Sequence, residues 1–187
     1  MNFTFTRRSV KQLYLKYTVM FVFLAVCIFG TYLLTGHTFI LSKDALNQHL
    51  PLMANYRAAL IHFFHHLGQF QYWSWKMGLG TDTFQVYSYY TIGDVFAYLA
   101  LLFPAAKMTL AYQVITVIRL YCVGLAFVYF AQHFRFRDNV ILAGAATYMV
   151  NAFLLYACIA QPFFTTPFIL FPLIVVQLER VLQGRSA

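Results

Sequence analysis

An uninterrupted apolar run near the start of the chain limits its possible folds more than any other feature. The run extends over 18 residues, from Tyr17 to Leu34, without a charged side chain. At about 1.5 Å per residue, a helix of this length crosses most of a hydrocarbon core of roughly 30 Å. Basic residues precede it as in a signal peptide, but the run is longer than a signal core and no A-x-A cleavage site follows. The sequence therefore predicts a retained first transmembrane helix over residues 17–34.

Three later apolar segments are candidates for further membrane spans. They cover residues 108–131, 140–160 and 163–180. Only 10% of all residues are charged, against about 25% in ordinary soluble domains. A shorter apolar stretch, Val95 to Ala106, is expected to lie in the interface or to re-enter. The predicted fold class is an all-α integral membrane protein of about four transmembrane helices, forming a single membrane domain over residues 1–187 with a long loop at 35–107.

Basic residues gather at the same ends of these predicted helices. They precede the first helix and follow the second and the fourth: Arg7, Arg8, Lys11, Lys16, Arg135, Arg137, Arg180 and Arg185. The positive-inside rule predicts a cytoplasmic N-terminus in a multi-pass plasma-membrane protein, with the 35–107 loop and the 161–166 turn outside. The net charge of +8 forms no basic stripe with interleaved aromatics, so the predicted partner is the lipid bilayer and not a nucleic acid.

The 35–107 loop begins with an amphipathic stretch, Asp44 to His66. Its apolar residues recur at near-helical spacing, and Pro51 must kink this helix or begin a second one. We expect the stretch to lie flat on the outer leaflet with its apolar side down.

Asp44 is the acidic residue nearest to the end of the first helix, in a chain that has only five. Partial desolvation near the interface would raise the pKa of its carboxyl group and make it a usable base, with Gln48 one turn later. The alternative is a helix N-cap, because aspartate is favoured there and a helical pattern follows. The residue pattern alone favours the cap.

Other loop residues also have a functional and a structural interpretation. Four histidines stand at spacings that can share a metal ion: His49, His62, His65 and His66. No carboxylate has matching spacing, and the wet face of an interfacial helix is the commoner place for histidines, so no metal site is predicted.

Gly78 and Gly80 can let a phosphate approach the backbone, although a plain turn is favoured. Tyr90 and its neighbours are typical of an aromatic belt.

Arg119 stands at the middle of the second predicted helix. A charge there costs several kcal/mol unless it faces a partner or water, so it indicates function by default. An anionic lipid phosphate suits it, and so does a structural pair with a polar group such as Asn151 on the next helix.

Several of these features occur in an order found in a known family. They are Asp44-x-x-x-Gln48, Trp75, Gly78-Leu79-Gly80, Tyr89-Tyr90, an apolar stretch ending at Pro104, and Pro172-Leu173 through Glu179-Arg180. This succession resembles the N-terminal part of the bacterial YfhO family. The resemblance covers nearly the whole chain, and it departs from the family at Gly93-Asp94, where a Ser-Pro pair is expected.

The resemblance implies the start of a GT-C fold and a glycosyltransferase activity. Such enzymes take a sugar from a polyprenyl-phosphate carrier and add it to an envelope polymer such as teichoic acid. Asp44 would then be the catalytic base, and a cation for the leaving phosphate would come from Arg57, Lys76 or Arg119. The implied substrate-binding residues are Gln48, Arg57, Trp75, Lys76, Gly78, Gly80, Tyr90 and Arg119. A divalent metal is compatible with this chemistry, but no ligand pattern indicates one.

Family members are several times longer, so the chain is expected to be the front of a longer architecture, inactive alone or active with a second membrane polypeptide. The alternative is a small membrane protein that acts by binding, as an assembly or lipid-carrier subunit. It predicts indifference to Asp44 and sensitivity at Arg119 and at small residues on helix faces, Gly124, Gly144 and Ala145.

Overall fold

The computed structural model describes residues 10–67 and 69–184, apart from the side chains of Tyr89 and Tyr90. Arg7, Arg8, Arg185 and the Tyr90 side chain therefore lie outside the described residues. The α-helices are α1 Val10–Leu34, α2 Leu50–His65, α3 Thr83–Tyr90, α4 Met108–His133, α5 Asp138–Met149, α6 Ala152–Ala160 and α7 Thr166–Leu182. Two short strands, β1 Trp73–Ser74 and β2 Thr81–Asp82, form an antiparallel hairpin between α2 and α3.

Three helical stretches in the described part of the chain are long and apolar enough to cross a membrane. They are Val10–Leu34, Ala105–His133 and Pro162–Leu182, and the bent pair α5 and α6 makes a fourth if it is counted as one span. This confirms the predicted all-α integral membrane fold, for which about four spans were expected. The stretch before α4 forms only short 3-10 helices, Ala97–Leu102 and Ala105–Lys107, and the six residues of the first cover about 12 Å.

The apolar segment predicted as one helix over 140–160 is broken in its middle. The bend between α5 and α6 is 50°. Asn151 supplies the break, because its side-chain nitrogen donates to the Tyr148 carbonyl at 2.7 Å and its side-chain oxygen accepts from the Leu154 amide at 2.9 Å. Asparagine thus closes one helix and caps the next by competing with backbone bonds.

Contacts divide the chain into two compact units, and the first consists of Met1–His37, Leu120–Leu155 and Thr165–Ala187. Its centre is Tyr17, which is fully buried and donates to the Tyr121 carbonyl at 2.6 Å. Gly124 permits this packing, since a Cβ there would collide with the Tyr17 hydroxyl and would lie 2.9 Å from the Met149 sulfur. Gly144 likewise leaves room for the Phe127 ring.

The first unit also brings together three helix ends that carry basic residues. Tyr14 in α1 donates to the Gln132 side chain in α4 at 2.9 Å. His133 at the end of α4 pairs with Glu179 in α7, and the Arg180 guanidinium lies 5.9 Å from the Tyr129 ring centre. The start of α1 and the ends of α4 and α7 therefore share one end of this unit.

The second unit consists of Thr38–Arg119 and Tyr156–Phe164. Its core joins α2 to the 3-10 helix Ala97–Leu102 and to the first turns of α4, through Ile40, Ala45, Met53, Ala100, Met108, Ala111, Tyr112 and Ile115. Met53 and Tyr56 of α2 are thus buried against protein, whereas Leu46 and Phe64 of the same amphipathic stretch stay exposed. Pro51 stands in the first turn of α2, directly after a π-helical turn, Ala45–His49.

Candidate functional site

Asp44 lies in the second unit, where the chain enters the π-helical turn Ala45–His49. Its backbone is already helical, with φ −61° and ψ −39°, and its side chain makes no capping hydrogen bond. The cap interpretation favoured by the sequence pattern is therefore wrong, because an N-cap residue needs a non-helical backbone to turn its oxygen onto the helix amides. Its exposed carboxylate instead accepts a hydrogen bond at Oδ2 from the Gln161 side-chain nitrogen at 3.1 Å.

Further contacts fix this region against the 156–164 segment. The Leu41 amide donates to the Ile159 carbonyl at 2.8 Å. The His49 ring meets the Phe163 ring edge-on, with centres 4.8 Å apart. Asp44 is thus held next to the turn before α7. Gln48 is exposed one turn after Asp44.

His49 is buried, unlike the solvent-facing histidines expected from the pattern. Burial lowers the pKa of its ring, and the nearby Asp44 charge opposes that shift only in part. A neutral imidazole is therefore the form that this position stabilises near pH 7. The described residues contain no group of three or more histidine, cysteine or acidic side chains able to hold a metal ion.

Arg119 pairs with Asp94, which sequence analysis had noted only as a departure from the family pattern. The two side chains are 5% and 11% exposed. The Arg119 guanidinium also lies 4.6 Å from the centre of the Phe96 ring. Asn151 is not its partner, since the amide of Asn151 is engaged at the break between α5 and α6. The Arg119 charge is thus balanced within the chain by a carboxylate 25 residues upstream.

A small cavity of about 30 Å³ adjoins this ion pair. Its wall includes His49, Thr91, Tyr112 and Thr116, and the buried Tyr112 hydroxyl has no hydrogen-bond partner among the described residues. A space of this size accommodates one or two water molecules but no sugar. The surroundings of Arg119 are therefore those of a buried structural pair.

Arg57 is also engaged in structure. Its Nε donates to the carbonyls of Ala100 at 3.2 Å and Phe103 at 2.7 Å. Ala100 lies in the 3-10 helix Ala97–Leu102, where its carbonyl also accepts from the Phe103 amide, and Phe103 follows that helix directly. Arg57 therefore ties α2 to the segment that precedes α4.

Trp75, Lys76, Gly78 and Gly80 form the loop of the β1–β2 hairpin. Gly78 and Gly80 have φ of +58° and +101°, which favour glycine. A Cβ on Gly80 would lie 2.7 Å from the Trp75 ring and 3.1 Å from the Trp73 ring. The glycines thus serve the turn and the packing of the two indoles, in accordance with the structural interpretation of this motif. Lys76 is exposed at the tip, and its amide donates to the Ser74 hydroxyl oxygen at 3.2 Å.

Comparison with known proteins adds one finding to this geometry. The sequence model of one family, described as bacterial membrane protein YfhO, matches residues 18–187. The chain belongs to the YfhO family. The match extends from α1 through the hairpin to the end of α7, so it includes Asp44 and the other residues discussed above. No curated protein and no solved structure matches this YfhO-family chain.

Proposed function

We propose that this YfhO-family chain takes part in glycosyl transfer from a polyprenyl-phosphate-linked sugar to an envelope polymer such as teichoic acid, with Asp44 as the catalytic base. The observation that carries the proposal is the state of the Asp44 carboxylate. It is exposed, it forms no ion pair with any described residue, and Gln161 holds only one of its oxygens. The other oxygen, Oδ1, remains able to accept a proton from an acceptor hydroxyl.

The transfer would proceed in one balanced step. The acceptor oxygen attacks the anomeric carbon while its proton passes to Asp44, and the bond from that carbon to the carrier phosphate breaks with its electron pair leaving on the phosphate. The departing phosphate needs a positive group to stabilise its charge. Of the three candidates, Arg119 is paired with Asp94 and Arg57 donates to backbone carbonyls. Lys76 is exposed at the hairpin tip, so we assign it this role.

The proposed location is the bacterial plasma membrane with a cytoplasmic N-terminus. The meeting of α1, α4 and α7 at one end of the first unit supports it, because Lys11, Lys16, Arg135 and Arg180 stand at or near these helix ends. The positive-inside rule assigns that end to the cytoplasm. The same rule assigns residues 35–107, which include Asp44 and the hairpin, to the outside, where lipid-linked sugars are used.

The test is Asp44→Asn in the full reading frame, assayed in isolated membranes for transfer of labelled sugar from the polyprenyl carrier. We expect at least a hundredfold loss of transfer, as is typical when a general base is removed. The matched control is Asp82→Asn, because Asp82 caps α3 through the Gln85 amide at 2.9 Å and asparagine caps equally well. Transfer that survives Asp44→Asn at the level of the control would disprove the role of Asp44.

The alternative proposal is a non-catalytic subunit that assembles with a second membrane polypeptide or binds a lipid carrier. It predicts that Asp44→Asn has no effect and that Gly124 and Gly144 mark a partner-binding face. Both glycines already pack against this chain's own Tyr17 and Phe127 side chains. Substitutions there would disturb folding first, so the result at Asp44 is what separates the two functions.

A further inference from the structure

A second, larger cavity lies between α2 and the hairpin. Its volume is about 310 Å³, which is at the lower end of the range of roughly 300–1,000 Å³ seen for small-molecule sites. The polar side chains that line it come from α2, from the hairpin and its flanking residues, and from α3, and besides Thr83 they are Asn55, His62, Gln71, Ser74, Lys76 and Tyr87. With the exception of Lys76, none of these was a predicted site residue.

The lining has the chemistry of an anion site. It offers amides, hydroxyls, an imidazole and one ammonium group, and none of the eleven lining residues is acidic. The nearest carboxylate along the sequence, Asp82, is occupied as the N-cap of α3. A negatively charged ligand would therefore meet Lys76 without a competing anion from the lining.

The cavity wall is held in place, while several of its polar groups remain available. The Thr83 hydroxyl donates to the Gln71 carbonyl, and the Thr83 amide donates to the Tyr72 carbonyl at 2.9 Å. Ser74 accepts from the Lys76 amide at 3.2 Å, which leaves its own proton to donate.

Tyr87 is the most informative member of the lining. It is only 3% exposed, and its hydroxyl forms no hydrogen bond with any residue that the structure describes. Burial raises the pKa of this hydroxyl, so it stays protonated and able to donate. The hydroxyl can therefore donate to a ligand in the cavity.

We propose that this cavity binds a hexose phosphate, the headgroup of a lipid-linked sugar donor. Lys76, Ser74 and Tyr87 would donate to the phosphate, and the Asn55 and Gln71 amides would bind sugar hydroxyls, since an amide both donates and accepts. The assignment of the cavity as a donor site rests on the proposed function, but the binding of a sugar phosphate does not. Polyol phosphates carry the same phosphate group, so the measurement must distinguish them from sugar phosphates.

The assay uses tryptophan emission of the purified chain in detergent. The chain has two tryptophans, Trp73 and Trp75, which flank Ser74 on the hairpin that forms the cavity wall. The probes are α-D-glucose 1-phosphate and N-acetyl-α-D-glucosamine 1-phosphate, compared with glucose, inorganic phosphate and glycerol 3-phosphate. We expect a saturable change with at least one sugar phosphate, at concentrations at least tenfold lower than with any comparison compound.

Two variants test the assigned contacts. Lys76→Gln should weaken sugar-phosphate binding about ten- to hundredfold, as expected for a lost hydrogen bond to a charged group, and Tyr87→Phe should weaken it severalfold while keeping the ring. Lys107→Gln removes the same charge from an exposed lysine that does not line the cavity, and it should bind as the unmodified chain does.

The proposal is overturned if neither sugar phosphate gives a saturable change, if glycerol 3-phosphate binds as tightly, or if Lys76→Gln and Lys107→Gln behave alike. The assay needs no turnover. A negative result in this binding assay would therefore not decide the role of Asp44, which the transfer assay tests. A negative result for Asp44 in the transfer assay would likewise not decide whether the cavity binds a sugar phosphate.

Discussion

Replacement of Asp94 by asparagine isolates the charge of the buried pair with Arg119. In the present chain, Asp94 Oδ1 accepts a hydrogen bond from the Phe96 amide at 3.1 Å. Asparagine has the same shape and keeps an oxygen that can accept this bond. What the substitution removes is the negative charge. Arg119, only 4% exposed, would then be a buried cation without its counter-ion.

The expected loss is large because water cannot replace the lost carboxylate. Breaking a buried ion pair by removing one partner costs about 3–5 kcal/mol. In a chain of this size, each kcal/mol corresponds to a shift in the melting temperature of roughly 2–4 °C. We therefore expect Asp94→Asn to melt about 6–20 °C below the unmodified chain, although the guanidinium keeps its contact with the Phe96 ring.

The assay is thermal unfolding in detergent, followed by far-UV circular dichroism. Asp82→Asn is the matched control, since it makes the same substitution at an exposed carboxylate whose capping role asparagine can take. The double variant Asp94→Asn, Arg119→Met should recover part of the loss, because the orphaned charge is then gone. A shift no larger than that of the control, or a double variant no more stable than Asp94→Asn, would refute the reasoning.

Two further predictions concern the hairpin and a buried histidine. Gly80→Ala should destabilise the chain by about 1–3 kcal/mol more than Gly78→Ala, because both positions have positive φ but only at Gly80 would a Cβ meet the Trp75 ring. Equal losses in chemical unfolding would show that the ring contact is unimportant. Stability should fall as the pH drops below about 6.5, the ordinary pKa of histidine, because the pKa of His49 is lowered in the folded chain and the unfolded chain binds the proton more readily. His49→Gln should flatten that fall in unfolding experiments between pH 8 and 5, whereas the exposed-site control His65→Gln should leave it unchanged.

The long helices were predictable because the length of an apolar run is a local property. The predicted 17–34 and 108–131 spans correspond to α1 and α4. The break at Asn151 was not predictable in this way, because it depends on one amide side chain that replaces backbone hydrogen bonds. The run remains apolar on both sides of it. A hydropathy profile does not show that backbone hydrogen bonds are replaced by side-chain hydrogen bonds.

The need for a partner of Arg119 was predictable, but the partner was not. A buried guanidinium requires an anion or a polar cavity, and the chain has only five acidic residues. Asp94 stands immediately before the short apolar stretch that leads to α4. That position could have indicated Asp94 as a candidate partner of Arg119. The fold that brings it to Arg119 runs through two 3-10 helices whose geometry the sequence pattern does not specify.

The structure also changes the balance among the predicted site residues. Arg57 and Arg119 hold the second unit together, and Gly78 and Gly80 shape the hairpin, so variants at these four positions would lower activity by disturbing the fold and would say little about chemistry. Asp44 and Lys76 differ, because no described residue forms an ion pair with either charge. Loss of transfer without loss of stability is therefore the result to seek at these two positions. If Asp44→Asn and Lys76→Gln lowered the melting temperature as much as Asp94→Asn, they too would be structural, and the case for a catalytic role of either residue would fail.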